Sequence, residues 1–286
     1  MIMDLNRIYN EDCLEGMKRI PDASVDCILT DPPYLYLKHK LDRPFDERRL
    51  FGEFKRVLKP KGFVVLFGRG TSFYRWNTEL SNLGFEFKEE IVWDKSFTSS
   101  PLLSLSRVHE TISVHTLRGG RINKVRVQYL EMKAGDIPSI CADIRRMREI
   151  IRKPEVLDVV NRYLTTGEIA FHKKMPTSIT IQNNISSKNR SMSVVQAMTE
   201  GLIEKSIIRN VADRYTSIHP TQKPVRLIER LLALTTIPGN VVLDPFSGSC
   251  STAIACVNTN RKYIGFEIDK EYYNAGVSRL NALSSE

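Results

Sequence analysis

Short apolar runs closed by acids, prolines and glycines recur along the chain. Residues 25–30 (VDCILT), 63–67 (FVVLF), 240–244 (NVVLD) and 262–268 (KYIGFEI) are the clearest. Runs of this length bounded by turn residues read as buried strands. Between them the apolar period becomes helical. Over 46–58, Leu50, Phe51, Phe54, Val57 and Leu58 share a face, and KPKG closes the helix. Helical spacing also covers 14–20, 72–83, 139–153, 224–236, 248–260 and 270–283, and strands are predicted at 7–9, 85–93 and 110–115. In 139–153, Ile140, Ile144, Met147 and Ile151 fall on one side, with the arginines mostly opposite. Residues 176–193, rich in Ser and Asn, read as a loop. Strands alternating with helices predict an α/β fold, a parallel sheet covered on both faces.

Composition narrows this picture. The 286 residues, 42% hydrophobic, suffice for one large domain or two small ones. No window approaches the ~18 apolar residues of a membrane span, and MIMDLNRIYN lacks the regions of a signal peptide. The five cysteines, Cys13, Cys27, Cys141, Cys250 and Cys256, form no CxxC pair and read as reduced thiols of a cytosolic protein. Charge is uneven. The chain carries a net +9, yet residues 117–216 alone hold 18 Lys and Arg against 10 Asp and Glu. A basic segment on a near-neutral body suggests a polyanionic partner, nucleic acid first; a solvated surface is the plain alternative.

Two stretches carry candidate chemistry. In LDPFSGSCST (243–252) a strand ends at Asp244 and a turn of small residues opens a helix, with Glu267 19 residues beyond Gly248. A helix N-terminus of this kind approaches anionic groups, and an acid at that distance holds a ribose in nucleotide-binding α/β folds. G-x-G-x-x-G and G-x-x-x-x-G-K-[ST] are both missing, which disfavours NAD and ATP. In LTDPPY (29–34) the prolines stop a strand and present Asp31 and Tyr34 at its end. A carboxylate and a peptide carbonyl are two acceptors, and an aromatic ring is a stacking face; together they suit an exocyclic amino group on a planar base. A structural turn with a solvated Asp is the alternative. HETISVH (109–115) has the look of a metal motif but reads as a strand lacking a third ligand.

This arrangement resembles the SAM-dependent amino-methyltransferases that act on DNA, in their β order. There D-P-P-Y comes first, a target-recognition region follows, and F-x-G-x-G comes last. Here Asp31 to Tyr34 come first, the basic segment lies in the middle, and Phe246-Ser247-Gly248 come near the end. HPTQKP (219–224) matches the segment before the cofactor strand, Asp12-Cys13 an N-terminal cofactor motif, and LKPKGF a helix-to-strand turn. The resemblance covers roughly residues 4–115 and 215–283.

It implies a Rossmann-like SAM-dependent methyltransferase fold, circularly permuted. Residues 1–116 and 217–286 would form the catalytic and SAM-binding domain, and 117–216 an inserted target-recognition region. Asp31 and the Pro32 carbonyl, with Pro33 beside them, would accept hydrogen bonds from the target amino group, and Tyr34 would stack on the flipped base. Asp31, Asp244, Phe246, Gly248 and Ser249 would line the SAM site, with Glu267 on the ribose, Asp12 and Cys13 by the adenine, and Lys223 near the carboxylate. No metal is needed. The last Gly of the motif is Cys250 here, a departure that bears on the close approach at that point. Candidate DNA contacts are Arg118, Arg121, Arg145, Arg148, Lys188 and Arg190.

The expected activity is methylation of adenine N6 in duplex DNA by a cytoplasmic, nucleoid-associated protein of prokaryotic or phage origin. Cytosine N4 transfer, a catalytically silent DNA-binding protein of the same fold, and an RNA target are the alternatives. A homodimer and a restriction endonuclease partner are both compatible with the resemblance.

Overall fold

A computed structural model describes residues 3–34, 42–96, 104–167, 187–210 and 222–283. The chain forms two compact units, residues 1–123 with 205–286, and residues 124–204. The first opens with β1 (Arg7–Tyr9), α1 (Cys13–Met17), β2 (Val25–Thr30), α2 (Glu47–Val57), β3 (Leu58–Gly68), α3 (Gly70–Asn82), β4 (Glu86–Asp94) and β5 (His109–Thr116). The second holds β6 (Arg126–Val127), α4 (Tyr129–Met132), α5 (Ile137–Ile151), α6 (Pro154–Thr166), α7 (Ser187–Glu200) and β7 (Leu202–Ile203). The chain then returns to the first unit with β8 (Ile207–Arg209), α8 (Val225–Thr235), β9 (Val241–Asp244), α9 (Ser251–Asn258), β10 (Lys262–Phe266) and α10 (Lys270–Leu283).

The first unit is built on an eight-stranded sheet in the order β1-β10-β9-β2-β3-β5-β4-β8. Strands that come late in the chain, β9 and β10, lie between β1 and β2, so the connectivity is permuted. All pairs are parallel except those made by β5, which runs antiparallel to β3 and to β4. The sheet is thus mostly parallel, as expected, and β5 is its exception: it folds back on β4, the strand before it in the chain. β3 also starts earlier than its apolar run. Leu58 already pairs with Val25, and the register then slips before Cys27 meets Phe63; Pro60 falls in that irregular stretch, where proline costs no ladder bond.

The predicted apolar face of α2 is the one that packs: Leu50, Phe51, Phe54 and Val57 are fully buried, in one core cluster with Ile28, Val64, Leu66 and Leu243. No described helix is long and apolar enough to cross a membrane.

In the second unit, Ile150, Val160, Tyr163, Met192 and Val195 make a small core of their own. Two expectations are corrected. Residues 187–193 are helical rather than loop, because Met192 and Val195 on α7 give a polar stretch an apolar side to bury; residues 176–186 lie outside the described residues. The inward side of α5 runs through Asp143, Met147 and Ile150, while Ile144 and Ile151 are 57% and 70% exposed. Asp143 is acceptable there because it is satisfied: Tyr129 Oη donates to it at 2.9 Å and Arg146 at 2.8 Å, with Lys133 3.1 Å away. The segment expected over 117–216 thus contains a unit of 124–204. Its flanks, including β8, belong to the first unit, and residues 211–221 lie outside the described residues.

Candidate active site

β2 and β9 are neighbours, with Cys27 opposite Val242 and Ile28 opposite Leu243. From β2 the chain goes by α2 to β3; from β9 it goes by α9 to β10, on the other side. Their carboxyl ends therefore diverge, which opens the crevice where α/β sheets bind ligands. Asp31 follows the last residue of β2, and Asp244 is the last residue of β9.

Asp31 is held from two sides. Tyr34 Oη donates to its Oδ1 and Lys223 Nζ to its Oδ2. The same ammonium lies 3.3 Å from Glu110 Oε2 and 5.0 Å from the centre of the Phe67 ring. Lys95 Nζ closes the chain of charges, donating to Glu110 Oε1 at 3.1 Å. Burial raises the Asp31 carboxyl, the Lys223 ammonium opposes this, and Glu110 adds to it. Burial would also neutralise Lys223, but its two carboxylate partners outweigh that and hold it charged. Burial acts upward on Glu110, and the two lysines bring it below its ordinary value.

An aromatic wall runs from this cluster. Tyr34 and Trp76 are 6.0 Å apart, Trp76 and Phe45 6.0 Å, and Phe45 and Phe246 5.4 Å, centre to centre. Ser72 Oγ fixes the wall's start by donating to the Tyr34 carbonyl at 2.9 Å.

The turn after β9 is tight. Phe246 N donates to Asp244 Oδ1 at 3.1 Å, and Ser247 Oγ to the Asp244 carbonyl at 3.1 Å. Gly248 has φ +45° and Cys250 φ +60°, so Cys250 occupies the left-handed region that favours glycine. Room for its side chain comes from α10. A methyl at Gly276 would lie 2.6 Å from Cys250 Sγ and 2.7 Å from the Gly248 carbonyl. Burial, helped by Asp244 and Glu267, pushes the Cys250 thiol up to about 12, so it stays neutral. Gly276→Ala is therefore expected to destabilise by about 1–3 kcal/mol through overpacking against a backbone that cannot yield. Thermal unfolding of the variant checks this; an unchanged midpoint would mean the helix simply shifts.

Glu267 lies across this turn. Gly248 N donates to its Oε2 at 2.9 Å and Asp269 N to its Oε1 at 2.8 Å. Burial raises it against those two bonds. Burial likewise lifts Asp244 to about 7; the Thr252 and Phe246 hydrogen bonds oppose this, and Asp31 and Glu267 add to it.

The sequence candidates thus fall into groups. Asp31, Tyr34 and Lys223 meet in one cluster, and Pro32 is buried beside it. Asp244, Phe246, Gly248, Ser249 and Glu267 meet at the turn. Lys223 joins the two: its side chain goes to Asp31 and Glu110, while its carbonyl accepts from Ser251 Oγ at 2.7 Å. Asp12 caps α1, accepting from Leu14 N at 2.8 Å, and Cys13 is buried in the core. The basic candidates do not form one set. Arg118 and Arg121 are exposed in the first unit, Arg145 and Arg148 are exposed on α5, and Lys188 and Arg190 fall on α7. His219, Pro220 and Thr221 lie outside the described residues. The sequence patterns alone do not single out Glu110, Lys95, Phe45 or Trp76. Glu110 stands inside the HETISVH stretch, where the histidines are the conspicuous residues.

A carboxylate-and-proline loop and a glycine turn, side by side at the switch point of a permuted Rossmann-like sheet, define an enzyme of the methyltransferase fold. The chain belongs to the DNA methylase family, whose model matches residues 25–278. It is 28% identical over 290 residues to the type II methyltransferase M.BglII of Bacillus subtilis, covering 99% of this chain and 71% of that protein. It is also 28% identical over 296 residues to the DNA adenine methyltransferase YhdJ of Escherichia coli K12, covering 97% and 83%. Among solved structures, the M1.HpyAVI–SAM complex matches with a TM-score of 0.56 at 21% identity, over 96% of this chain and 98% of that one. The cytosine-N4-specific PvuII DNA methyltransferase matches at 0.58 and 16% identity, over 97% and 87%.

Proposed function

We propose that this chain methylates the N6 amino group of adenine in duplex DNA, with SAM as the methyl donor and the target base flipped from the helix. Asp31 carries the reading: an acceptor held at the mouth of the crevice, next to an aromatic wall and a carboxylate-lined turn.

The turn fits SAM by its donor set. Asp244 and Glu267 are buried carboxyls beside a glycine turn, suited to a ligand that carries positive charge and ribose hydroxyls. Asp31, Asp244, Phe246, Gly248 and Ser249 would line the cofactor, with Glu267 on its ribose. When bound, SAM supplies an electrophilic methyl on a sulfonium.

An aromatic amino group is a poor nucleophile, because its lone pair is delocalised into the ring. Hydrogen bonds from its two protons to Asp31 and to the Pro32 carbonyl pull the nitrogen towards a pyramidal shape and aim the lone pair. Bound SAM would supply the methyl and keep the broken sulfur–carbon pair as a neutral thioether; the amino nitrogen held by Asp31 and the Pro32 carbonyl would give its lone pair to that methyl and pass the surplus proton to the Asp31 carboxylate, and from there to solvent. Positioning and electrostatics supply the acceleration. A stacked base is out of reach, so flipping is required, and Tyr34 offers a face for the extruded ring.

Residues 124–204 and the arginines Arg145 and Arg148 serve target binding in this reading. Replacing both by Gln should weaken DNA binding on all sequences alike. It should also flatten the salt dependence, by about one logarithmic slope unit for each phosphate that the arginines neutralise. Binding isotherms over a salt series decide it; an unchanged slope would place the DNA elsewhere.

The D-P-P-Y form is what favours adenine. Cytosine N4 offers the same two protons to the same acceptors, and a cytosine-N4 enzyme shares the fold, so it is the second reading. Incubation with unmethylated duplex DNA and SAM, digestion to nucleosides and mass spectrometry separates them. N6-methyladenine supports the proposal, N4-methylcytosine replaces the base, and no methylated nucleoside on DNA of varied sequence overturns it.

A further inference from the structure

The crevice holds an alternating row of charges: Lys95, Glu110, Lys223 and Asp31. Lys95 is 3.1 Å from Glu110, Glu110 is 3.3 Å from Lys223, and Lys223 bonds Asp31. All four side chains are at most 19% exposed. The arrangement poses a problem for the reaction. An Asp31 oxygen tied up by an ammonium is a weaker acceptor for an incoming amino group, and a buried ammonium cannot leave one carboxylate unless another receives it.

We propose that Glu110 is the positioning residue that solves this: it gives Lys223 a second carboxylate, so that the ammonium moves off Asp31 when the substrate amino group arrives. This rests on the function proposed above. Lys223 has three N–H donors and already spans both carboxylates, so the exchange needs rotation at its tip and no backbone motion. Lys95 anchors Glu110 from the far side and keeps it from following Lys223 towards Asp31. The charged or titratable groups facing Asp31 are Lys223 before α8, Glu110 on β5, Tyr34 on its own loop and Asp244 at the end of β9. Of these, Glu110 and Asp244 are the negative ones, and only Glu110 also touches the ammonium among the described residues.

Glu110→Gln keeps the shape and removes the charge. Lys223 would then be confined to Asp31, and kcat should fall on the order of 10²-fold, the scale of a misplaced reacting group. SAM affinity should hold. Removing a negative neighbour also favours the Asp31 carboxylate, so the acid limb of kcat/KM should move to lower pH. Glu110→Asp retains the charge and should keep the limb in place with a smaller loss of kcat. A merely structural Glu110 would lower activity and leave the limb where it is, and that result would overturn the proposal, as would full activity in Glu110→Gln.

A second measurement does not need turnover. Titrating the Asp31 side chain by carbon NMR with labelled aspartate, assigned with Asp31→Asn, should show it ionising at lower pH in Glu110→Gln than in the wild type. An unmoved Asp31 in an active wild type removes Glu110's role alone. A wild type that methylates no DNA removes the function proposed above.

Discussion

Asp31→Asn is expected to lower methyl transfer by on the order of 10³-fold while leaving SAM affinity within a few-fold of the wild type. The substitution is nearly isosteric, so the loop after β2 keeps its shape. What changes is charge. A neutral amide accepts a weaker hydrogen bond than a carboxylate, and its NH2 can confront the substrate's own amino donors. Lys223, now without one of its two counterions, would rest on Glu110. Single-turnover transfer of a labelled methyl group to DNA, with SAM binding by calorimetry, separates the effects. Loss of both would mean that the Asp31 charge holds the cofactor it lines as strongly as it holds the target amino group. Retained transfer would end its assignment as the acceptor.

The second large effect concerns Asp244 and stability rather than turnover. Its carboxyl goes from an ordinary 3.8 to about 7 on folding. The folded state therefore binds more protons than the unfolded chain between those values, and stability falls as pH rises through that window. At ~1.4 kcal/mol per unit, the loss from this one group is about 4 kcal/mol, complete above roughly pH 7. Asp244→Asn keeps an acceptor for Phe246 N and has nothing to ionise. It should match the wild type in stability near pH 4 and exceed it at pH 8. Urea midpoints of both proteins at the two pH values give the comparison; equal differences at each would show that the carboxyl does not titrate there. Asp31 and Glu267, also raised by burial, lower stability over the same pH range in both proteins; each repels Asp244, so their own shifts shrink in Asp244→Asn and widen the difference in the same direction.

The parts of the site that could be read in the sequence are those with local causes. Pro32 and Pro33 must stop a strand wherever it lies, and the small residues after Asp244 must turn. Both strands are legible because their middles are buried on two faces, so Cys27 to Leu29 and Val241 to Leu243 are unbroken apolar runs. What could not be read depends on which strands become neighbours. Glu110 matters because β5 folds back against β3 and brings it to Lys223, more than a hundred residues further on, and nothing in HETISVH announces that. β8 is three residues long and gains its identity only by pairing with β4. The first part of α7 looks like a loop because its composition is polar; a few apolar positions and a partner helix suffice to order it. On α5 the apolar residues counted as one face are split by a buried Asp143, whose partners Tyr129 and Lys133 lie on and just after the preceding helix.

The permuted strand order sets a delay during synthesis. β2 lies at the centre of the finished sheet, and Cys27, Ile28 and Leu29 are at most 2% exposed there. One of its flanks is supplied by β9, which begins at Val241. At about 5–20 residues per second a ribosome needs roughly 10–40 s to travel from one to the other. For that time an apolar strand presents an open edge, the kind that recruits foreign strands. The nascent chain therefore passes through a window in which a chaperone, or a slow local supply of protein, decides between folding and aggregation.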